Sequence, residues 1–238
     1  DTYLNIFGID NILINVKRCF ASLFNVRALS YRHTHDIKLS DVKISVAIQK
    51  MVRSDIGSAG VAFSIDPESG YDKAIVINSS FGLGELVVSG GVKPDEIICD
   101  KSTLKIVNAD PIIMKKMGDK NDKIIYDQNG GVTEVQTNLI EKLNFSITNN
   151  QAICLARTVL FLEEKYCELF NKKLGVDVEW AIDGSDQKIY ILQTRPETIH
   201  SNSDNLLIEK YILNEKSDIL IRGVAVGEKI SKGNIKIL

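Results

Sequence analysis

Residues 177–198 read DVEWAIDGSDQKIYILQTRPET, two runs of strand-forming residues joined by a polar turn. Such a stretch has few folds open to it other than a β-hairpin, because Val, Trp, Ile and Tyr fit a pleated surface and Asp-Gly is a turn dipeptide. Side chains alternate along a strand, so residue parity assigns the faces. Val178, Trp180 and Ile182 share one face of the first run, and Asp177, Glu179 and Ala181 the other. In the second run Tyr190 and Leu192 oppose Ile191, Gln193 and Arg195. An odd-length loop centred on Asp186 predicts Glu179 opposite Gln193 and Asp177 opposite Arg195. Four polar groups then project from one face, while the other remains apolar.

Two readings of that polar face stand side by side. A carboxylate and a neutral amide oxygen suit Mg2+, which takes hard oxygen donors and completes its shell with phosphate and water. A neighbouring guanidinium suits a phosphoryl group in transfer. The other reading is a solvent-facing sheet carrying an Asp–Arg cross-strand pair.

The rest of the chain alternates helical and strand-like stretches. Asp10 is expected to cap a helix over 10–24, and a second short helix is expected over about 25–32. Strand-like runs occupy 44–52, 60–66, 73–79, 96–100 and 123–127, with a helical turn at 84–91 and irregular chain over 107–122. Asn149 or Asn150 is expected to cap a helix to about Asn171, with Ile153, Ala156, Leu160 and Glu163 along one face. Residues 201–205 read as a linker before a short helix, and 222–238 as β-rich. The sum is an α+β pattern suited to antiparallel pairing.

Two further segments invite a ligand. In SSFGLGELVV, Gly82 and Gly84 free the backbone ahead of a helix start at Glu85; the segment reads as a tight turn or as a phosphate contact, with Glu85 unfavourable to an anion. In VAIQKMV, Val46, Ile48 and Lys50 alternate with Ala47, Gln49 and Met51, and Met51 reads as a core residue or as part of a purine-binding edge. His33 and His35 in an expected polar loop, and His200 at the linker, lack the neighbours for a zinc site or a triad.

Composition removes several classes. A net charge of −2 over 238 residues gives no broad surface for nucleic acid or anionic membrane. No apolar run reaches the length of a membrane span. Cys19, Cys99, Cys154 and Cys167 form no CxxC pair, as expected of buried, reduced thiols in a cytoplasmic protein. A start at Asp1 inside an amphipathic pattern and an end at Leu238 inside a strand-like run are expected of a piece of a longer protein.

Taken together, DTYLNIFGID, FASLFNVRALSYR, QKMVRSDIGSAGVAFSIDPESGY, FGLGELVVSGGVKPDE and DVEWAIDG…KIYILQTRPET resemble the nucleotide-binding domain of the phosphoenolpyruvate synthase and pyruvate phosphate dikinase family, MVRSD with SIDPESG being closer to the synthases. The resemblance implies an ATP-grasp-like domain over 1–198 with its N-terminal lobe missing. It implies a linker over 199–221 and the start of a swivelling phosphohistidine domain over 222–238. It carries magnesium binding onto Glu179 and Gln193 and phosphoryl transfer onto Asp177 and Arg195. Gln49, Met51 and Val52 correspond to the segment beside the adenine. The family reaction takes ATP, pyruvate and water to AMP, phosphoenolpyruvate and phosphate through a histidine on the swivel domain of the same chain, and the full-length form is expected as a homodimer. The TCHAA-type histidine motif, the pyruvate-binding barrel and the basic phosphate-binding lobe have no counterpart here, so this piece is expected not to turn over and to bind ATP weakly or not at all. A rifampin-type phosphotransferase and a non-catalytic nucleotide module are the alternatives.

Overall fold

The computed structural model describes residues 1–197 and Asp218; the expected linker, short helix and swivel-domain start, and His200, lie outside the described residues. The first helix, α1 (Ile9–Ala21), is followed by a short 3-10 turn and α2 (Val26–Thr34). Gly8, not Asp10, occupies the cap of α1, and Asp10 sits in the first turn, where its charge favours the helix dipole. Asn25 caps α2 by accepting from the Ala28 N–H. The helix runs two residues past its expected end, so His33 lies within α2 and not in a loop, and His35 caps its end, its ring 4.3 Å from that of Tyr31.

Then come β1 (Ser58–Phe63), β2 (Ala74–Phe81), α3 (Glu85–Ser89), β3 (Asp95–Asp100), α4 (Lys101–Leu104), β4 (Ile112–Lys116), β5 (Asp122–Tyr126), β6 (Val132–Gln136), α5 (Leu139–Leu143), α6 (Asn149–Phe170), β7 (Val176–Ile182) and β8 (Ile189–Pro196). Six strands form one sheet in the order β4-β3-β2-β1-β7-β8, and β5 pairs with β6 in a separate ribbon. Every pairing is antiparallel. The chain is therefore an α+β domain built on an antiparallel sheet.

Two stretches differ from their sequence patterns. Residues 44–52 form no strand; from them Gln49 Nε2 touches the Leu192 carbonyl of the edge strand β8 at 3.5 Å. Conversely, 107–122 is not wholly irregular, because β4 extends the sheet from within it and pairs with β3. Alternation in IIMKK is too short to register against its polar flanks.

The core lies between one sheet face and α6. Ala152, Leu155, Ala156 and Val159 are the buried residues of that helix; of the expected line Ile153, Ala156, Leu160 and Glu163, Ala156 is at the centre of the buried stripe and Ile153 and Leu160 pack on its margin. They pack over Ile75, Ile77, Ile97, Val178 and Trp180. Thr148 is the cap, in a reciprocal box with Gln151, and removes two orphan backbone donors. Glu163 turns to Lys101, both carboxylate oxygens within 2.7 Å of the ammonium. At Gly60, in the middle of β1, a Cβ would lie 1.9 Å from the Asn78 carbonyl oxygen, so only glycine lets β1 and β2 approach there. All four cysteines are free; Cys99 is buried, but Cys154 is exposed on the outer side of α6, contrary to the expectation of burial.

Candidate functional site

The β7–β8 hairpin pairs Glu179 with Gln193 and Asp177 with Arg195. The route to that register differs from the predicted one. Ile182 pairs with Ile189 across a six-residue loop, an even length, and the register then shifts by one between Glu179 and Trp180. A β-bulge at Ile191–Leu192 absorbs the extra residue. It also changes which residues share a face. Ile191 pairs with Trp180 and, with Ile189, packs on the core instead of joining Gln193 and Arg195. Past the bulge Thr194 is on the core side, where Tyr166 of α6 reaches its hydroxyl at 2.7 Å.

On the opposite face the four polar residues gather as the sequence pattern expects. Arg195 Nε donates to Asp177 Oδ2 at 2.9 Å. The Asp177 carboxyl nonetheless titrates above the ordinary carboxylate range: burial raises it more than the Arg195 charge and hydrogen bond lower it, and Glu197 adds to the rise. Glu179 is half-buried and Gln193 exposed, and among the described residues neither side chain has a hydrogen-bond partner. Directly opposed residues in an antiparallel pair have Cβ atoms about 5 Å apart. A carboxylate and an amide at that spacing can share one hard cation, with its remaining coordination left to water or phosphate oxygens. Among the described residues no three His, Cys, Asp or Glu side chains gather as a metal cage.

The registers extend this row across the whole sheet. Gln193, Glu179, Val61, Asn78, Glu96 and Lys116 are successive partners from β8 to β4. Asn78, Glu96 and Lys116 thus share the face of Glu179. Parity within one segment cannot reveal that placement, since it needs the order of strands distant in sequence. The face is accessible around Gln193, Glu96 and Lys116, whereas Ala59, Ser80 and Ala181, two residues along on the same face, are buried. Two surface clefts, of about 520 Å³ and 500 Å³, lie elsewhere, the first along the outer side of α6 by Cys154 and Phe161, the second around Asp55, Lys123 and the start of α6.

The segment Gln49–Val52 reaches the same end of the sheet. Gln49 is exposed at the edge of β8, the strand that carries Gln193, and Met51 and Val52 are half-buried. Asp183 and Gly184, which follow β7, bond the Arg53 backbone: Arg53 N–H donates to Asp183 Oδ2 at 3.1 Å, and Gly184 N–H donates to the Arg53 carbonyl at 3.0 Å. The Asp183 carboxyl is held below its usual range by backbone hydrogen bonds, the Ser185 N–H first and the Arg53 N–H next. A Cβ on Gly184 would lie 2.2 Å from the Ile56 carbonyl oxygen, so backbone packs on backbone here. The sequence pattern marks Asp-Gly only as a turn and leaves this second role unread. The glycine segment forms as expected: Gly82 has φ 80°, and α3 starts at the exposed Glu85, capped by Gly84.

Residues 1–214 match the sequence family described as pyruvate phosphate dikinase, AMP/ATP-binding domain. Phosphoenolpyruvate synthase of Deinococcus radiodurans is 41% identical over 238 residues, which cover 100% of this chain and 30% of that one. Those of Helicobacter pylori and Escherichia coli K12 are 40% and 39% identical over 247 and 242 residues, again across 100% of this chain. The chain therefore spans about 30% of the length of these relatives. No helix among the described residues is long and apolar enough to cross a membrane.

Proposed function

The chain belongs to the pyruvate phosphate dikinase AMP/ATP-binding domain family, and from that premise we propose that it binds Mg·ATP over the polar face of the β7–β8 hairpin and presents the nucleotide for phosphoryl transfer. Within a longer polypeptide this is the nucleotide-binding step of a phosphoenolpyruvate synthase, converting ATP, pyruvate and water to AMP, phosphoenolpyruvate and phosphate through a phosphohistidine carried on a swivel domain. The architecture proposed for it is ATP-grasp-like, with this sheet forming one wall of the nucleotide site. The observation that carries the reading is the cross-strand pair of Glu179 and Gln193, two oxygen donors on one face with no other partner among the described residues.

Each residue has a distinct task in this proposal. Glu179 supplies a charged oxygen and Gln193 a neutral one to Mg2+, which when bound neutralises phosphate charge. Arg195 places its guanidinium where charge accumulates on the transferring group, and Asp177 holds that guanidinium through the 2.9 Å hydrogen bond. The half-burial of Asp177 keeps it committed to Arg195 and away from the cation. Gln49, Met51 and Val52 line the base end. In this proposal the 238-residue chain by itself binds ATP weakly and turns over no substrate.

Paramagnetic broadening tests the assignment. With ATP present, substoichiometric Mn2+ in place of Mg2+ is expected to broaden the NMR signals of Asp177–Glu179 and Thr194–Arg195 first. The Glu179→Gln, Gln193→Leu double variant should remove that focus. Broadening centred on another part of the sheet, unchanged in the variant, refutes the site.

A further inference from the structure

The segment that would face the base is held by groups far from it in sequence. Val52 is the pivot. Its carbonyl oxygen accepts the Ser54 N–H at 2.8 Å, closing an inverse γ-turn at Arg53, whose φ and ψ are −74° and 50°. The same oxygen accepts the Tyr126 hydroxyl at 2.6 Å. A carbonyl oxygen has two lone pairs, so its accepting capacity is filled. Among the described residues, by contrast, no hydrogen bond uses the Val52 N–H.

Tyr126 is itself fixed. It ends β5, its ring lies 5.6 Å from the Arg53 guanidinium carbon, and Arg53 is gripped by both oxygens of the buried Asp55 at 2.8 and 3.0 Å. Burial, and secondarily the Asp55 charge, push the Tyr126 hydroxyl up to about 12, so it remains a donor across the physiological range. On its other side Arg53 is bonded to Asp183 and Gly184, at the end of the strand that carries Glu179. The base end and the metal end are thus joined through one continuous strand.

We infer that Tyr126 is a positioning residue for the nucleotide base: with Ser54 it fills the Val52 carbonyl, so that the Val52 N–H is what that residue offers to the base, selecting adenine over guanine. The chemistry is complementary. Adenine presents an unprotonated ring nitrogen beside its exocyclic amine, whereas guanine presents a protonated ring nitrogen beside its exocyclic oxygen. A donor on this segment pairs with the first and opposes the second; a free carbonyl there would accept the guanine N–H instead. This inference rests on the proposed nucleotide site, and its test separates the two.

Tyr126→Phe deletes the hydroxyl and keeps the ring under Arg53. In the nucleotide-free chain, hydrogen exchange at the Ser54 and Gly184 amides is expected to accelerate about tenfold while that of α6 is unchanged. In NMR titrations with Mg·ATP and Mg·GTP, which register millimolar binding, the wild-type chain is expected to prefer ATP, and the variant to lose about tenfold of that preference, chiefly by gaining GTP affinity. A merely structural tyrosine would weaken both nucleotides alike. Unchanged exchange and an unchanged ATP/GTP ratio overturn the role of Tyr126 and leave the nucleotide site intact. Accelerated exchange in a chain whose wild type binds neither nucleotide refutes the site, and the inference with it.

Discussion

Asp177 is bonded to a guanidinium and still titrates above the usual carboxylate range, because half-burial costs its charged form more than a largely exposed Arg195 returns. The sign of the pH dependence follows. A folded-state pKa above the unfolded value favours the protonated form, so the contribution to stability is present below the unfolded value and is lost as pH rises through the folded one. Arg195→Ala removes the group that opposes this shift and raises the Asp177 pKa further. The variant is expected to match the wild type below about pH 4 and to fall behind by about 1 kcal/mol or less near pH 7. Urea melts at both pH values check it; a cost independent of pH would mean that Arg195 acts by packing alone. That Asp177, Glu179, Gln193 and Arg195 share a face was legible in the sequence, since parity within β7 and within the end of β8 needs only local pattern, whereas the same parity put Ile191 with them and could not add Asn78, Glu96 and Lys116. The saturation of the Val52 carbonyl was not, since its partner Tyr126 lies 74 residues away in sequence.

At the scale of elements, the hairpin shows how a pattern can lead to the right pairing by the wrong path. An odd loop without a bulge and an even loop with one give the same register past Gln193. They differ in the face assigned to Ile191, and only the bulged form packs it against the core. The run at 44–52 has strand composition but no ladder partner among the described residues, and composition does not supply partners. The buried ion pair of Lys120 and Asp95 was equally invisible, because each looks like a surface residue in its own segment. Both are fully buried. Asp95 opens β3 and accepts from Lys120 Nζ at 2.5 Å, Gly118 N–H at 2.9 Å, and the Ser146 N–H and hydroxyl at 2.7 and 2.8 Å. One carboxylate therefore ties β3, the approach to β5 and the approach to α6. Lys120→Met is expected to cost about 3–5 kcal/mol, since it leaves that carboxylate buried without a counter-charge. Adding Asp95→Asn removes the stranded charge and is expected to recover at least about 1 kcal/mol of the loss. Guanidinium denaturation of the two variants measures both; a Lys120→Met cost below about 1 kcal/mol would show that the pair is hydrated in solution.

For the whole molecule, the distribution of apolar surface is uneven. The sheet and α6 enclose a continuous core, whereas α1 buries none of its residues, and Phe7, Ile9, Leu13 and Val26 are 61%, 67%, 51% and 83% exposed. The periodicity that marks α1 as amphipathic is real, but a sequence pattern says which face is apolar and not what covers it. A net charge of −2 offers little repulsion between copies. Exposed apolar surface of this kind drives association, so the 238-residue chain is expected to self-associate as its concentration rises. The α1 substitutions Leu13→Ser and Phe20→Ser together should suppress that association in sedimentation velocity while shifting stability by no more than about 0.5 kcal/mol. Leu155→Ala, beneath α6, should do the reverse, leaving association unchanged and costing about 2–5 kcal/mol through the cavity it opens. If the α1 pair instead costs as much as Leu155→Ala, those side chains are part of a core in solution, and the apolar face of α1 is covered by this chain's own sheet.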